Sequence, residues 1–191
     1  MGTAKRILFI DRDGTLIHEP VSGNIDDWSK LEFYPHVFKY MNLIAAEFNY
    51  ELVMVTNQDG LGTTYFPAEH FWPIHNFIIK AFENEDVYFS AVCIDPSFKE
   101  DHSPNRKPRT GMVKQYMNNS EYDLQHSFVI GDRITDVQFA KNLGCKALWL
   151  NNRPGLGLKE LENTEDELRA ATLVLETKTW KDVYEFLLSM Q

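Results

Sequence analysis

The sequence predicts an α/β fold with a mainly parallel central sheet and helices on both faces. Three observations carry this. Short apolar runs alternate with amphipathic stretches along 191 residues, the rhythm of repeated strand–helix–strand units. The first run, Arg6–Ile10, is apolar without period-two alternation, as in a strand covered on both faces. Acidic residues directly follow such runs, where open α/β sheets place their ligands.

The elements follow in order. Arg6–Ile10 reads as the first strand and runs into Asp11-Arg12-Asp13-Gly14-Thr15. Thr15–Tyr34 is a long insertion with turn residues at Ser22-Gly23-Asn24, and loops of this length are usually lids or binding loops, or else disordered. A helix is expected over Pro35–Phe48, with Pro35 suited to the first helical position. Glu51–Val55 is the second strand, ahead of Thr56-Asn57-Gln58-Asp59-Gly60. Pro67–Phe82 is the second helix, again opened by proline, and its His75 reads as a residue near the core. Val87–Asp95 is the third strand. The polar stretch Pro96–Pro108 holds Pro96, Pro104 and Pro108. Gly111–Asn118 is expected to be helical. Ser127–Ile130 is the fourth strand, followed by Gly131-Asp132-Arg133-Ile134-Thr135-Asp136. The helix Ile134–Leu143 stops at Gly144, as a helix-ending glycine should. Strand Ala147–Leu150, helix Gly157–Ala170, strand Thr172–Leu175 and helix Thr179–Met190 complete the chain. With no repeat, low-complexity tract or linker, residues 1–191 read as one domain.

Composition narrows the class. Hydrophobic residues make up 43% and charged residues 25%, an ordinary globular balance. The net charge of -9 speaks against a nucleic-acid binder, which needs a basic face. It leaves room for a small phosphorylated substrate, because a bound metal reverses the local field. Cys93 and Cys145 give no disulfide framework, so a cytoplasmic setting is expected. No apolar run approaches the length of a membrane span, and no signal peptide is evident.

The chemistry lies at four strand ends. Asp11 and Asp13 follow the first strand, Thr56 the second, and Arg106-Lys107-Pro108 closes the loop after the third; Asp132 and Asp136 follow the fourth. A carboxylate pair is often a solvated turn, a threonine there a helix cap, and a lone lysine surface charge. All four in this order favour a site. Crowded carboxylates need neutralising, and Mg²⁺ takes oxygen ligands together with substrate phosphate. An Asp left free to attack phosphorus is a covalent nucleophile.

These motifs resemble the haloacid dehalogenase (HAD) superfamily of phosphohydrolases, from about Arg6 to Leu150. Thr56-Asn57-Gln58-Asp59-Gly60-Leu61-Gly62-Thr63 narrows the likeness to the histidinol-phosphate phosphatase branch. The resemblance implies a Rossmann-like HAD fold with a small flap, about residues 15–34, instead of a large cap domain. It implies Asp11 as nucleophile and Asp13 as general acid and base. Thr56, Asn57 with its amide, and Lys107 would hold the phosphate. Asp11, Asp13 through its carbonyl, and Asp132 would bind Mg²⁺, with Asp136 in an outer shell. Glu19, Gln58 and Arg106 are candidates for substrate contact, Glu19 facing the ammonium or imidazole of histidinol phosphate. Some relatives carry this domain ahead of an imidazoleglycerol-phosphate dehydratase, so a covalent or functional association with such a domain is implied; a stand-alone enzyme and an excised domain both remain open. Many relatives also bind structural zinc through cysteines near positions 93–108. Here only Cys93 stands in the expected place and His102 lacks flanking thiols, too few donors for a closed site. No structural zinc is therefore expected in the 96–108 loop, and Cys93 reads as a small apolar strand residue. Other small phosphates, such as heptose 1,7-bisphosphate, and an inactive binding module are the rival readings.

Overall fold

The computed structural model describes residues 4–191. Its strands are β1 (Arg6–Ile10), β2 (Tyr50–Asn57), β3 (Ala91–Asp95), β4 (Phe128–Gly131), β5 (Lys146–Leu150) and β6 (Leu173–Thr177). They form one sheet in the order β3-β2-β1-β4-β5-β6, and every pairing is parallel. The chain builds outward from β1 to β3 and then crosses to β4 on the other side of β1. Strand order reverses between β1 and β4, which opens a crevice at their carboxyl ends.

Side-chain alternation divides the core. Leu8 and Ile10 of β1, with Leu52, Met54, Ile130 and Leu148, face one side. There they meet α1 (Val37–Glu47), α2 (Ala68–Glu83) and α5 (Trp180–Ser189) through Met41, Ile78 and Trp180. Ile7 and Phe9, with Val53, Val55, Val129 and Trp149, face the other. That face is covered by α3 (Ile134–Leu143) and α4 (Glu165–Ala171), through Val137, Phe139 and Leu168. Both faces of β1 are thus sealed, and each such buried side chain contributes about 1.5–3 kcal/mol.

Several expected elements differ. The third strand is shorter because Asp86 takes a left-handed φ of 59° and Val87 plugs the core from a loop instead of pairing. The expected Gly111–Asn118 helix is a 3₁₀ segment, Gly111–Tyr116, interrupted where Val113 leaves helical geometry. The expected helix over 157–170 is split. A 3₁₀ turn at Leu158–Glu160 precedes α4, which starts only after Thr164. There the Thr164 hydroxyl accepts from the Glu167 amide and the Glu167 carboxylate accepts from the Thr164 amide, a reciprocal cap that fixes the start. Neither proline opens its helix from within. Pro35 precedes the left-handed cap His36, and Pro67 is itself the cap residue of α2.

The Thr15–Tyr34 insertion returns along itself. Ile17 bridges antiparallel to Phe33, and the His18 and Tyr34 amides donate to Glu32 and Leu16 carbonyls at 2.7 and 3.0 Å. Trp180 of α5 donates its indole N–H to the Thr15 carbonyl at 2.9 Å, fixing the base of this strap beside the sheet's carboxyl end. No helix among the described residues is long and apolar enough to cross a membrane.

Candidate active site

The crevice at the β1–β4 reversal gathers the candidate residues. Asp11 is anchored by its amide, which donates to the Ile130 carbonyl at 2.9 Å. This places it at the joint between β1 and β4. Lys107 comes from the distant Pro96–Pro108 loop, and its buried ammonium donates to Asp11 Oδ1 at 2.7 Å and Asp136 Oδ1 at 2.8 Å. The other oxygen of Asp136 accepts from the Arg133 amide at the start of α3. Asp132 accepts from Arg153 at 2.7 Å through Oδ2, while its buried Oδ1 has no partner.

Two glycines make room for this packing. A Cβ at Gly14, whose φ is +81°, would lie 2.2 Å from Asp132 Oδ2. One at Gly131 would lie 2.3 Å from Asp136 Cγ. The carboxylates are therefore seated against bare backbone.

Electrostatics follow from burial. Desolvation pushes Asp11 well above the usual carboxylate range; Lys107 opposes this, while Asp136 and Asp132 add to it. Asp132 is pushed up to about 6 by burial and then by Asp136, against the pull of Arg153. Burial draws the Lys107 ammonium down, but Asp11 and Asp136 outweigh it and leave the net shift upward.

The acidic donors are grouped closely enough to share a cation. Asp11, Asp132 and Asp136 can each present an oxygen within 4.8 Å of the others. The unpartnered Asp132 Oδ1 is a buried acceptor of the kind a hard divalent ion takes up. The donor set therefore fits Mg²⁺. With Asp136 engaged by Lys107 and Arg133, its side chain suits an outer position.

Thr56, Asn57, Gln58, Asp13, Glu19 and Arg106 line the same crevice. Gln58 donates through Nε2 to Asp13 Oδ2 at 2.5 Å and to Thr56 Oγ1 at 2.9 Å. Its amide is thereby turned toward other site residues rather than outward. Arg106 donates to both oxygens of Asp59 and to the Ser97 carbonyl. Glu19, on the strap, accepts from Arg133 at 2.7 Å and from Arg153. Both its oxygens are thus already taken, a competitor for any substrate ammonium.

Arg133 and Arg153 are site residues that no motif in the sequence marks as such. Arg133 stands beside Asp132 in a motif that had been recognised. Arg153 follows β5, so the strand-end rule that found the other residues extends to it. Tyr65, Asn24 and Glu160 also line the crevice; Glu160 arrives through the 3₁₀ turn that was expected to be part of a longer helix.

A family model described as HAD-hydrolase-like matches residues 104–175. The chain is 48% identical over 184 residues to the histidine biosynthesis bifunctional protein HisB of Bacteroides fragilis, covering 96% of this chain and 47% of that protein. It is 49% identical over 188 residues to the protein of the same name from Spirosoma linguale, covering 96% and 48%. The chain belongs to the HAD-like family. It spans about half the length of these relatives. Among solved structures, D,D-heptose 1,7-bisphosphate phosphatase from B. bronchiseptica, complexed with magnesium and phosphate, superposes with a TM-score of 0.72. Its identity is 21%, over 97% of this chain and 99% of that one. At this identity the likeness concerns the HAD fold, which this chain has, without a large cap.

Proposed function

We propose that this HAD-like chain is a Mg²⁺-dependent phosphomonoester hydrolase that converts L-histidinol phosphate to L-histidinol and phosphate, within histidine biosynthesis. The observation that carries it is the buried Asp11–Lys107–Asp136 array beside the unpartnered oxygen of Asp132. Such an array gathers a carboxylate, an ammonium and an unpartnered acidic oxygen around one small volume, which supports the reading. The similarity to the HisB proteins, which are named for histidine biosynthesis, supports that choice of substrate.

In this reading one Asp11 oxygen bonds to phosphorus while the phosphorus–oxygen bond to the histidinol alkoxide breaks. Asp13 gives its proton to that alkoxide. Water then attacks the aspartyl-phosphate, passing a proton to Asp13, and the phosphorus–oxygen bond to Asp11 breaks. Lys107, the Thr56 hydroxyl and the Asn57 amide hold the equatorial oxygens, where transition-state charge spreads. Gln58 orients the Asp13 carboxyl. Asp11, Asp132 and the Asp13 carbonyl would hold Mg²⁺, which would supply positive charge against the developing charge of the phosphoryl group. Residues 15–34 act as the flap of a single domain over 1–191. Glu19 receives the cationic end of the substrate by exchanging one of its two guanidinium partners. The 96–108 loop is held without zinc. The chain works in the cytoplasm, alone or joined to an imidazoleglycerol-phosphate dehydratase domain.

A panel of histidinol phosphate, heptose 1,7-bisphosphate and p-nitrophenyl phosphate, each with Mg²⁺ and with EDTA, tests this. The expected result is metal-dependent phosphate release with the highest kcat/KM on histidinol phosphate. A higher value on the heptose ester replaces the substrate, and no metal-dependent release on any ester removes the reading.

A further inference from the structure

Four consecutive residues after the core of β2 divide their side chains between two tasks. Thr56 and Gln58 are hydrogen-bonded to one another, and Gln58 reaches Asp13. Asn57 and Asp59 turn the other way, onto the loop that carries Lys107. The Lys107 amide donates to Asn57 Oδ1 at 3.0 Å, and Asn57 Nδ2 donates back to the Lys107 carbonyl at 3.1 Å. The side-chain amide thus grips the lysine backbone at both polar groups, as a neighbouring strand would. Asp59 takes the guanidinium of the adjacent residue, Arg106, with both oxygens at 2.5 and 3.2 Å.

The lysine's own loop offers little regular structure to hold it. Between Asp95 and Gly111 its only helical stretch is the 3₁₀ turn Lys99–Asp101. Yet the Lys107 ammonium must stay between two carboxylates in a buried space. An ångström-scale misplacement of such a group costs large factors in rate. The rigid end of β2 supplies what the loop lacks.

We propose that the Asn57 and Asp59 side chains are positioning residues that set the Lys107 ammonium through the backbone and side chain of residues 106–107. Neither side chain contacts the phosphate. The kinetic arm of the test rests on the phosphatase reading; a second arm does not.

Asn57→Ala, Asp59→Ala and Lys107→Met are made singly, and each of the first two is combined with Lys107→Met. In the otherwise native chain Asn57→Ala should lower kcat/KM roughly tenfold or more, within the range of coupled contacts. In the Lys107→Met background the same change should cost less than about twofold, since there is no ammonium left to place. A residue that merely stabilised the fold would lower Tm without this dependence on Lys107. Costs that multiply independently overturn the inference. If wild-type protein releases phosphate from no ester, the functional reading fails and the other arm decides. In hydrogen exchange followed by mass spectrometry, the Lys107 amide should exchange faster in Asn57→Ala and in Asp59→Ala; unchanged protection overturns the clamp. Should either alanine variant not fold, Asn57→Leu, which keeps the side chain's bulk and removes both of its polar groups, and Asp59→Asn, which keeps shape and removes the charge, carry the same two measurements.

Discussion

Asp132 is where burial and chemistry oppose each other most directly. Its carboxyl is pushed up to about 6 by desolvation and by Asp136, and one oxygen stays unpartnered. Arg153 meets the other oxygen, but a buried acceptor left without a partner remains costly. Its seat depends on Gly14, which combines a φ of +81° with a 2.2 Å approach of a hypothetical Cβ to Asp132 Oδ2. Gly14→Ala should therefore displace Asp132, lower stability by about 1–3 kcal/mol from backbone strain alone, and weaken Mg²⁺ binding. Chemical denaturation and calorimetric Mg²⁺ titration check this; wild-type values in both would mean that the carboxylate is not confined by the glycine. Asp13 allows a different separation. Its side chain is held by Gln58 at 2.5 Å, and its proposed metal contact is the backbone carbonyl. Asp13→Asn should reduce kcat by roughly 10²–10⁴, the size of a general acid–base contribution, with Mg²⁺ affinity nearly unchanged. Lost affinity with normal turnover at saturating metal would reverse the assignment.

At the level of elements, the Pro96–Pro108 loop shows how a segment without a regular backbone is held. Asp95, buried at the end of β3, accepts from the Ser97 amide at 3.0 Å, the Ser97 hydroxyl, and the Ser103 hydroxyl at 2.7 Å. Gln58 and Gly60 amides donate to the Asp95 and Pro96 carbonyls at 2.8 and 2.9 Å. Asp95→Ala should cost about 1–3 kcal/mol by leaving those donors unmet. Protein grown with added zinc should hold no stoichiometric zinc by elemental analysis, and chelators should not unfold it. One zinc per chain with unfolding on its removal would show that other ligands order the loop. Helix α2 gives a pH signature. His75 is buried, stacked on Phe71 at 5.0 Å between centroids, with Nδ1 unpartnered. Burial, and then Arg12, lower its pKa from 6.5 to about 4. The unfolded chain thus binds the extra proton first as pH falls. The stability that depends on neutral His75 is complete above pH 6.5 and is lost progressively down to about 4. The shift corresponds to a loss on the order of 3 kcal/mol. Denaturation curves across that window for wild type and His75→Leu check it: the variant should lack this slope, and equal slopes would place the effect elsewhere.

At the scale of the whole molecule, the sequence carried the sheet's composition better than its edges. Continuous apolar runs marked the central strands β1, β4 and β5, which are buried on both faces, while the edge strands β3 and β6 keep exposed positions such as Val92 and Val174. Strand order was not legible, since it is set by which crossovers the helices permit. The 3₁₀ segments at Gly111–Tyr116 and Leu158–Glu160 were hidden for a related reason: their apolar spacing is helical, but Val113 and the Thr164 cap interrupt it locally. For the site, residues in the strand-end motifs could be read in advance, whereas Arg153 acts through Glu19 and Asp132, partners 134 and 21 residues away. The architecture also separates what holds the fold from the proposed metal site. The two apolar layers pack above and below the sheet, while the carboxylates sit at one end of it, at the β1–β4 reversal. Removing metal should therefore leave the fold intact, and adding it should stabilise the native state by mass action alone. At a hundredfold excess over Kd this gain is about 2.7 kcal/mol. For a chain of this size that is a rise in Tm of roughly 5–11 °C. Thermal denaturation with increasing Mg²⁺ should show the rise in wild type and lose most of it in Asp132→Asn, which keeps the side chain's shape but removes its charge. An equal rise in both proteins would mean that Mg²⁺ stabilises through the net charge of -9 and not through this site.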